Sequence, residues 1–75
     1  MSRIKLGIIG CGGISHYHAS CLQNIPRVDV VAISDTNESN MTKLQNGFPR
    51  LLSRCRTFTD CKDMLSTVKL GAVEI

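Results

Sequence analysis

The stretch of sequence that decides the fold runs from Lys5 to Ser15 and reads KLGIIGCGGIS. It begins inside an apolar run, from Ile4 to Ile9, which is short enough for a strand and too short for a buried helix. Glycines follow in quick succession, and beyond them the pattern becomes helical. The stretch therefore predicts a buried strand that turns sharply on glycine and opens directly into a helix.

The glycines and the small residue after them match the G-x-G-x-x-G/A pattern of dinucleotide-binding turns. Gly10 permits the tight turn, Gly12 lets a pyrophosphate approach the backbone, and Ser15 lets the helix pack close to its strand. Gly13 and Ile14 open a helix whose unpaired N–H groups and positive dipole end suit phosphates. The pattern alone is also compatible with a structural strand–turn–helix that binds no ligand.

The residues after the turn predict a βαβ unit. A helix is expected from about Gly13 to Asn24, where apolar residues share one face, and Pro26 ends it. Residues 28–34 read VDVVAIS, a nearly continuous apolar run typical of a parallel strand covered on both faces. Strand, helix and strand together make a right-handed crossover unit.

An acidic residue follows this second strand immediately, at Asp35, and Thr36 comes next. In a dinucleotide-binding unit, an acid at this point accepts hydrogen bonds from the adenosine ribose hydroxyls. The alternative is that Asp35 only begins a turn or caps the next helix. With the glycine turn in place, we interpret Asp35 and Thr36 as part of a cofactor site. The charge of Asp35 would repel a 2′-phosphate, and no arginine follows it closely, so we expect NAD rather than NADP.

The second half of the sequence has weaker patterns. A helix is expected from Asn37 to Asn46, with Gly47 just after its last turn. Residues 50–54 either extend a loop or add a helical turn. The remaining predicted elements are a short edge strand (54–58), a helix (60–66, with Met64 and Leu65 facing inward) and the start of an apolar strand (70–75).

Composition excludes several classes of protein. The chain has 75 residues and a net charge of +3, with neither a basic run nor a mixed basic and aromatic cluster, so nucleic acid is a poor candidate partner. Its four cysteines show neither a C-x-x-C nor a metal-binding spacing, which favours reduced thiols. No segment resembles a signal peptide or a membrane span. We expect a cytoplasmic protein with no metal site and no membrane contact.

The two histidines are less informative. His18 lies on the apolar face of the first predicted helix, where a buried or half-buried histidine with one hydrogen-bonded nitrogen is the simpler interpretation and a ligand role the alternative. His16 lies well around the helix from it, and we expect it to face solvent.

Together these residues resemble the start of the Gfo/Idh/MocA oxidoreductases. The resemblance rests on segments spread over nearly the whole chain: residues 7–14 (GIIGCGGI) with His18 and Leu22, residues 30–35 (VVAISD), residues 58–60 with 64–65, and residues 72–75 (AVEI). It implies a Rossmann-type parallel sheet with flanking helices, truncated after about four strands that lie in the order third, second, first, fourth.

The same resemblance implies how residues 1–75 fit into a larger enzyme. They are expected to form part of an N-terminal dinucleotide-binding domain, while the C-terminal substrate domain, which also helps form homo-oligomers, is absent. The family transfers a hydride between a nicotinamide dinucleotide and a sugar- or polyol-like substrate. Its catalytic lysine and histidine correspond to positions beyond Ile75, so we expect no catalytic residue here. A non-catalytic dinucleotide-binding or regulatory module is the alternative.

Overall fold

The computed structural model describes residues 3–75, apart from the side chain of Ile14. Four strands of the described chain form one parallel sheet in the order β3-β2-β1-β4. The elements in chain order are β1 (Ile4–Ile9), α1 (Gly13–Leu22), β2 (Val28–Ser34), α2 (Glu38–Gly47), α3 (Pro49–Leu52), β3 (Arg56–Phe58), α4 (Cys61–Thr67) and β4 (Ala72–Glu74). This confirms the expected Rossmann-type α/β architecture and strand order.

Most predicted boundaries agree with the structure to within two residues. The strand β2 has the bounds that the sequence predicts. The helix α1 ends at Leu22 rather than Asn24, since the N–H groups of Asn24 and Ile25 bond in turns rather than in the helix. The helix α2 includes Gly47, which has no positive φ, and Phe48 is its C-cap instead.

The segment between α2 and β3 settles one open alternative. Residues 49–52 form a helical turn, with Pro49 at its start, where a proline needs no N–H donor. Because the chain then turns through residues 53–54, β3 begins at Arg56 rather than at Arg54.

The sheet has two faces, which we call the covered face and the open face. On the covered face, Leu6 and Ile8 of β1 pack with α1, α2 and α3 in one core. The core also contains Ala19, Leu22, Val30, Ile33, Met41, Leu44 and Leu52. Side chains of a strand alternate between faces, so Gly7 lies on the open face. There a Cβ added to Gly7 would lie 2.7 Å from Leu70 Cδ1 and 3.1 Å from Met64 Cε, so the ends of these two side chains would have to shift to accommodate it.

An irregularity in β2 adjusts its pairing with β1. Leu6 is opposite Val30, but the next residue, Gly7, is opposite Ala32, which leaves Val31 as an extra residue in β2. This bulge lets both Val30 and Ile33 join the core of the covered face.

The open face is covered only in part by α4. Met64 is fully buried there, as predicted, but Leu65 is 50% exposed, so the prediction that both residues face inward is wrong for Leu65. On β4, Val73 is 40% exposed.

All four cysteines are free, with Cys11 and Cys55 buried. None of the helices within residues 3–75 combines the length and the apolar character that crossing a membrane requires.

Candidate functional site

The glycine turn lies where β1 ends and α1 begins, as the sequence predicts. Gly10 has φ +89°, a conformation that favours glycine, and its N–H donates to the Ser34 carbonyl at 2.8 Å. Ser15 is buried, and its hydroxyl donates to the Gly10 carbonyl across the turn. The turn is therefore held both to the end of β2 and to its own helix.

The two glycines that follow face open space. A Cβ added at Gly12 or at Gly13 would meet no heavy atom of the described residues within 4 Å. Gly12 is the N-cap of α1, and no described side chain caps the helix. The Ser15 N–H donates to the Gly12 carbonyl at 3.0 Å, which leaves the N–H groups of Gly13 and Ile14 available to an anion. Ile14 lies in this first turn, and its side chain is outside what the structure describes. This cradle fits a pyrophosphate.

Asp35 joins the glycine turn to the start of α2. Its Oδ2 accepts a hydrogen bond from the Cys11 N–H at 2.8 Å, and its Oδ1 accepts one from the Asn37 N–H at 2.8 Å. The amide of Asn40 lies 3.4 Å from Oδ2. The N–H of Asn37, followed by that of Cys11, lowers the pKa of the Asp35 carboxyl below its ordinary value of 3.8. The carboxylate is therefore charged at neutral pH.

These contacts leave room for a further ligand on Asp35. A carboxylate has about four lone-pair positions, and three donors occupy this one. Asp35 is half-buried and Thr36 beside it is exposed, so both are accessible from solvent. The bond to Asn37 shows that Asp35 does form a turn, while Asn37 itself caps α2 by accepting from the Ser39 N–H at 2.9 Å. A turn role and a ribose role are thus compatible.

Cys11 is a part of this site that the sequence reasoning missed. Its buried thiol donates to the Ser34 carbonyl at 3.6 Å. Burial raises the pKa of the Cys11 thiol to about 11, and the negative charge of Asp35 adds to the effect. The thiol is protonated at neutral pH and acts as a buried donor rather than a nucleophile. The sequence holds no signal for this role, because the position between the two glycines accepts any residue.

Each histidine of α1 contacts another part of the chain. His18 is half-buried, and its Nδ1 lies 2.5 Å from Glu74 Oε1, which links α1 to β4. This agrees with the predicted half-buried histidine. The prediction that His16 faces solvent is wrong. His16 is half-buried, and its ring centre is 6.1 Å from that of Phe48.

Comparison with known proteins gives matches to dehydrogenases and to proteins solved with NAD or NADH. The chain superposes with a TM-score of 0.78 on the WlbA dehydrogenase of Bordetella pertussis, solved with NADH and UDP-GlcNAcA, at 29% identity over 96% of this chain and 20% of that one. GenD2 from gentamicin A biosynthesis, solved with NAD, matches with a TM-score of 0.77 and 26% identity over 97% of this chain and 20% of that one.

A glucose-6-phosphate 3-dehydrogenase of Bacillus subtilis (strain 168) is 44% identical over 36 residues, which is 48% of this chain and 10% of that protein. No protein-family model matches the chain. The matches confirm the resemblance to the Gfo/Idh/MocA oxidoreductases and to their NAD-binding domains. The chain spans about a fifth of the length of these structural neighbours and about a tenth of the curated relative.

Proposed function

We propose that this chain is the dinucleotide-binding part of an NAD-dependent oxidoreductase that transfers a hydride between NAD and a sugar- or polyol-like substrate. Residues 1–75 then belong to a longer protein, whose C-terminal domain carries the substrate specificity and helps form homo-oligomers. The observation that carries the proposal is the 2.8 Å hydrogen bond from the Cys11 N–H to Asp35 Oδ2. It fixes the carboxylate proposed for the ribose against the turn proposed for the phosphates.

In this proposal, each described group has a defined task. The backbone at Gly12, Gly13 and Ile14 holds the pyrophosphate, for which the open space beside the two glycines provides room. Asp35 and Thr36 hold the adenosine ribose. When bound, NAD supplies the hydride chemistry, and the protein supplies binding and orientation. The residues proposed to bind NAD include none of the groups that would catalyse the hydride transfer.

The first test is the effect of Gly12→Val on NAD binding. Gly12 has φ −76° and ψ −164°, an extended conformation that any residue adopts, so we expect the variant to fold. The valine side chain would occupy the space proposed for the pyrophosphate. We expect weak NAD binding by the wild-type chain, because the second half of a Rossmann sheet builds the nicotinamide site. Amide chemical shifts followed by NMR during a titration with NAD detect such binding.

The wild-type amide signals of Gly12, Gly13 and Thr36 should shift with NAD, and those of the Gly12→Val variant should not. Gly71→Ala is the control, since an added Cβ there meets Ile4 Cγ2 at an ordinary 3.5 Å. Unchanged NAD binding by a folded Gly12→Val variant would place the phosphates elsewhere and would overturn the site.

The second test compares NAD with NADP. The charged Asp35 would repel the 2′-phosphate of NADP, and residues 36–40 contain no arginine to offset that repulsion. The wild-type chain should therefore bind NAD more tightly than NADP, and Asp35→Ala should remove most of this preference. The same NMR titration measures both affinities, and equal affinities in the wild type would contradict the assignment of Asp35.

A further inference from the structure

A second concave surface lies at the opposite end of the sheet from the glycine turn. This groove, of about 990 Å³, lies beside the amino end of β2, between the segment after α1 and the segment around α3. We call it the arginine groove, since Arg3, Arg50, Arg54 and Arg56 line it. Dinucleotides bind at the carboxyl ends of parallel strands, so the proposed NAD site does not account for it.

The arginine groove holds the excess positive charge of the chain. Its four arginines and its single acidic residue, Asp29, give it a formal charge of +3, which equals the net charge of the whole chain. Arg3 is paired with Asp29 at 2.7 Å. Among the described residues, Arg50, Arg54 and Arg56 form no salt bridge, and all three are exposed. Three guanidinium groups are therefore available to a partner.

The segment that carries these arginines is firmly anchored. Leu52 and Cys55, which alternate with the arginines along the chain, are buried in the core. Gln45 of α2 donates to the Leu52 carbonyl at 3.1 Å, and the Cys55 N–H donates to the same carbonyl at 3.2 Å. Such anchoring lowers the entropy that the arginines lose when they bind a partner.

One of the arginines is also oriented by an aromatic ring. The guanidinium of Arg56 lies 5.3 Å from the centre of the Phe58 ring, within the range of a cation–π contact. This contact restricts the Arg56 side chain while leaving its N–H groups free to donate.

The lining between the arginines combines aliphatic side chains with the polar Gln23, Asn24 and Ser53, and among the described residues it contains no aromatic side chain. Leu51 and Val28 are half-buried there, and Ile25 is 45% exposed. Proteins that bind single-stranded nucleic acid stack its bases on aromatic side chains, which this lining does not offer. A free inorganic anion would make no use of the apolar surface. The lining instead suits a chain that carries both carboxylates and aliphatic side chains.

We propose that the arginine groove binds an acidic polypeptide segment in which carboxylates alternate with aliphatic residues. The carboxylates pair with Arg50, Arg54 and Arg56, and the aliphatic side chains cover Ile25 and Leu51. Arginine suits this role because its planar guanidinium binds carboxylates in a bidentate manner. This inference is independent of the proposed NAD function, because it concerns the other end of the sheet.

The test measures binding of a fluorescein-labelled peptide of alternating glutamate and leucine to the whole chain, by fluorescence anisotropy. We expect saturable binding that weakens as salt is added, since the pairs are exposed to solvent. A peptide of alternating lysine and leucine should not bind. The double variant Arg50→Glu/Arg54→Glu should weaken binding roughly tenfold or more, and the milder Arg50→Gln/Arg54→Gln should weaken it less. Circular dichroism checks that each variant is folded.

The matched control is Lys43→Glu/Lys62→Glu, which makes the same change of net charge at exposed positions of α2 and α4 outside the groove. It should change peptide affinity much less than the arginine variants do. Equal losses for the two double variants would show that only net charge matters and would overturn the proposal. Absence of peptide binding, or tighter binding of a single-stranded RNA probe, would overturn it as well.

Discussion

The two faces of the sheet differ in how completely residues 3–75 bury them. On the covered face, three helices enclose a core in which Ile33, Leu44 and Leu52 are fully buried. On the open face, α4 buries Met64 but leaves Leu65 and Val73 about half exposed. The covered face is built by the first two strands and the helices that follow each of them. The covered face therefore has a closed core, whereas the packing of the open face depends on what lies against it.

The largest expected effect is on folding stability, and it is measured by making the same leucine-to-alanine substitution on each face. Leu44→Ala removes a fully buried side chain from the covered face, and such changes cost about 2–5 kcal/mol of folding free energy. Leu65→Ala, at a half-exposed position of α4, should change the free energy of unfolding by only about 0.5 kcal/mol. Urea unfolding followed by circular dichroism measures both.

Since a chain of this size has little stability to lose, Leu44→Ala should be largely unfolded without urea. Equal effects of the two substitutions would show that the open face is packed as tightly as the covered face, and the contrast between them would fail.

A smaller effect is expected on self-association. β4 is the last strand of the sheet and pairs only with β1 among the described residues, and Val73 beside that edge is exposed. Unpaired N–H and C=O groups on an apolar edge promote pairing with another copy. We therefore expect the isolated chain to self-associate, and Val73→Lys to shift it toward monomers. Sedimentation equilibrium measures the change.

Tyr17→Lys provides the control for this prediction, because it places the same charge at a residue of α1 that is 68% exposed. It should leave the association unchanged. A wild-type chain that stays monomeric at high concentration would contradict the prediction and would mean that the edge is protected.

The sequence predicts the fold well where local patterns decide it. The bounds of β2 follow from an apolar run, and the tight turn at Gly10 follows from the glycine pattern. The strand order was expected from the resemblance to the oxidoreductase family, and the structure confirms it. The exposure of Leu65 does not follow from the sequence. Met64 and Leu65 are neighbours on the short helix α4, and only the way this helix lies on the sheet decides which of the two is buried. The half-buried state of His16 does not follow from the sequence for a similar reason, since Phe48, whose ring centre lies 6.1 Å from that of His16, comes from the segment after α2.

The candidate site shows the same limit. Glycine spacing predicts the turn, and position after β2 predicts Asp35, but no pattern in the sequence predicts the bond between the Cys11 N–H and the Asp35 carboxylate. The sequence does not predict the arginine groove either. Arg3 is far from the other three arginines along the chain, and only folding brings them together. The cofactor-binding roles of Gly10, Gly12, Gly13, Ile14, Asp35 and Thr36 remain predictions.

The smallest effect concerns acid stability, which should depend on Asp35 at the edge of the covered core. The N–H groups of Asn37 and Cys11 lower the pKa of Asp35 in the folded chain, so the ionised carboxylate stabilises the fold. This contribution is fully present above the ordinary value of 3.8 and is lost as the pH falls through the lower folded pKa. Asp35→Asn should cost about 1 kcal/mol near neutral pH, because its amide offers a donor where an acceptor is needed.

The difference in the free energy of unfolding between wild type and Asp35→Asn should therefore be constant at neutral and mildly acidic pH and should narrow only below about pH 4. Urea unfolding at a series of pH values measures this difference. Asp63→Asn on α4 is the comparison, since the Asp63 carboxylate accepts no hydrogen bond within the part of the chain that is described, and it should cost less at neutral pH. If the difference in the free energy of unfolding between wild type and Asp35→Asn does not narrow in acid, the negative charge of Asp35 does not account for the stability that its two backbone hydrogen bonds give. The bond between the glycine turn and β2 would then depend on shape alone.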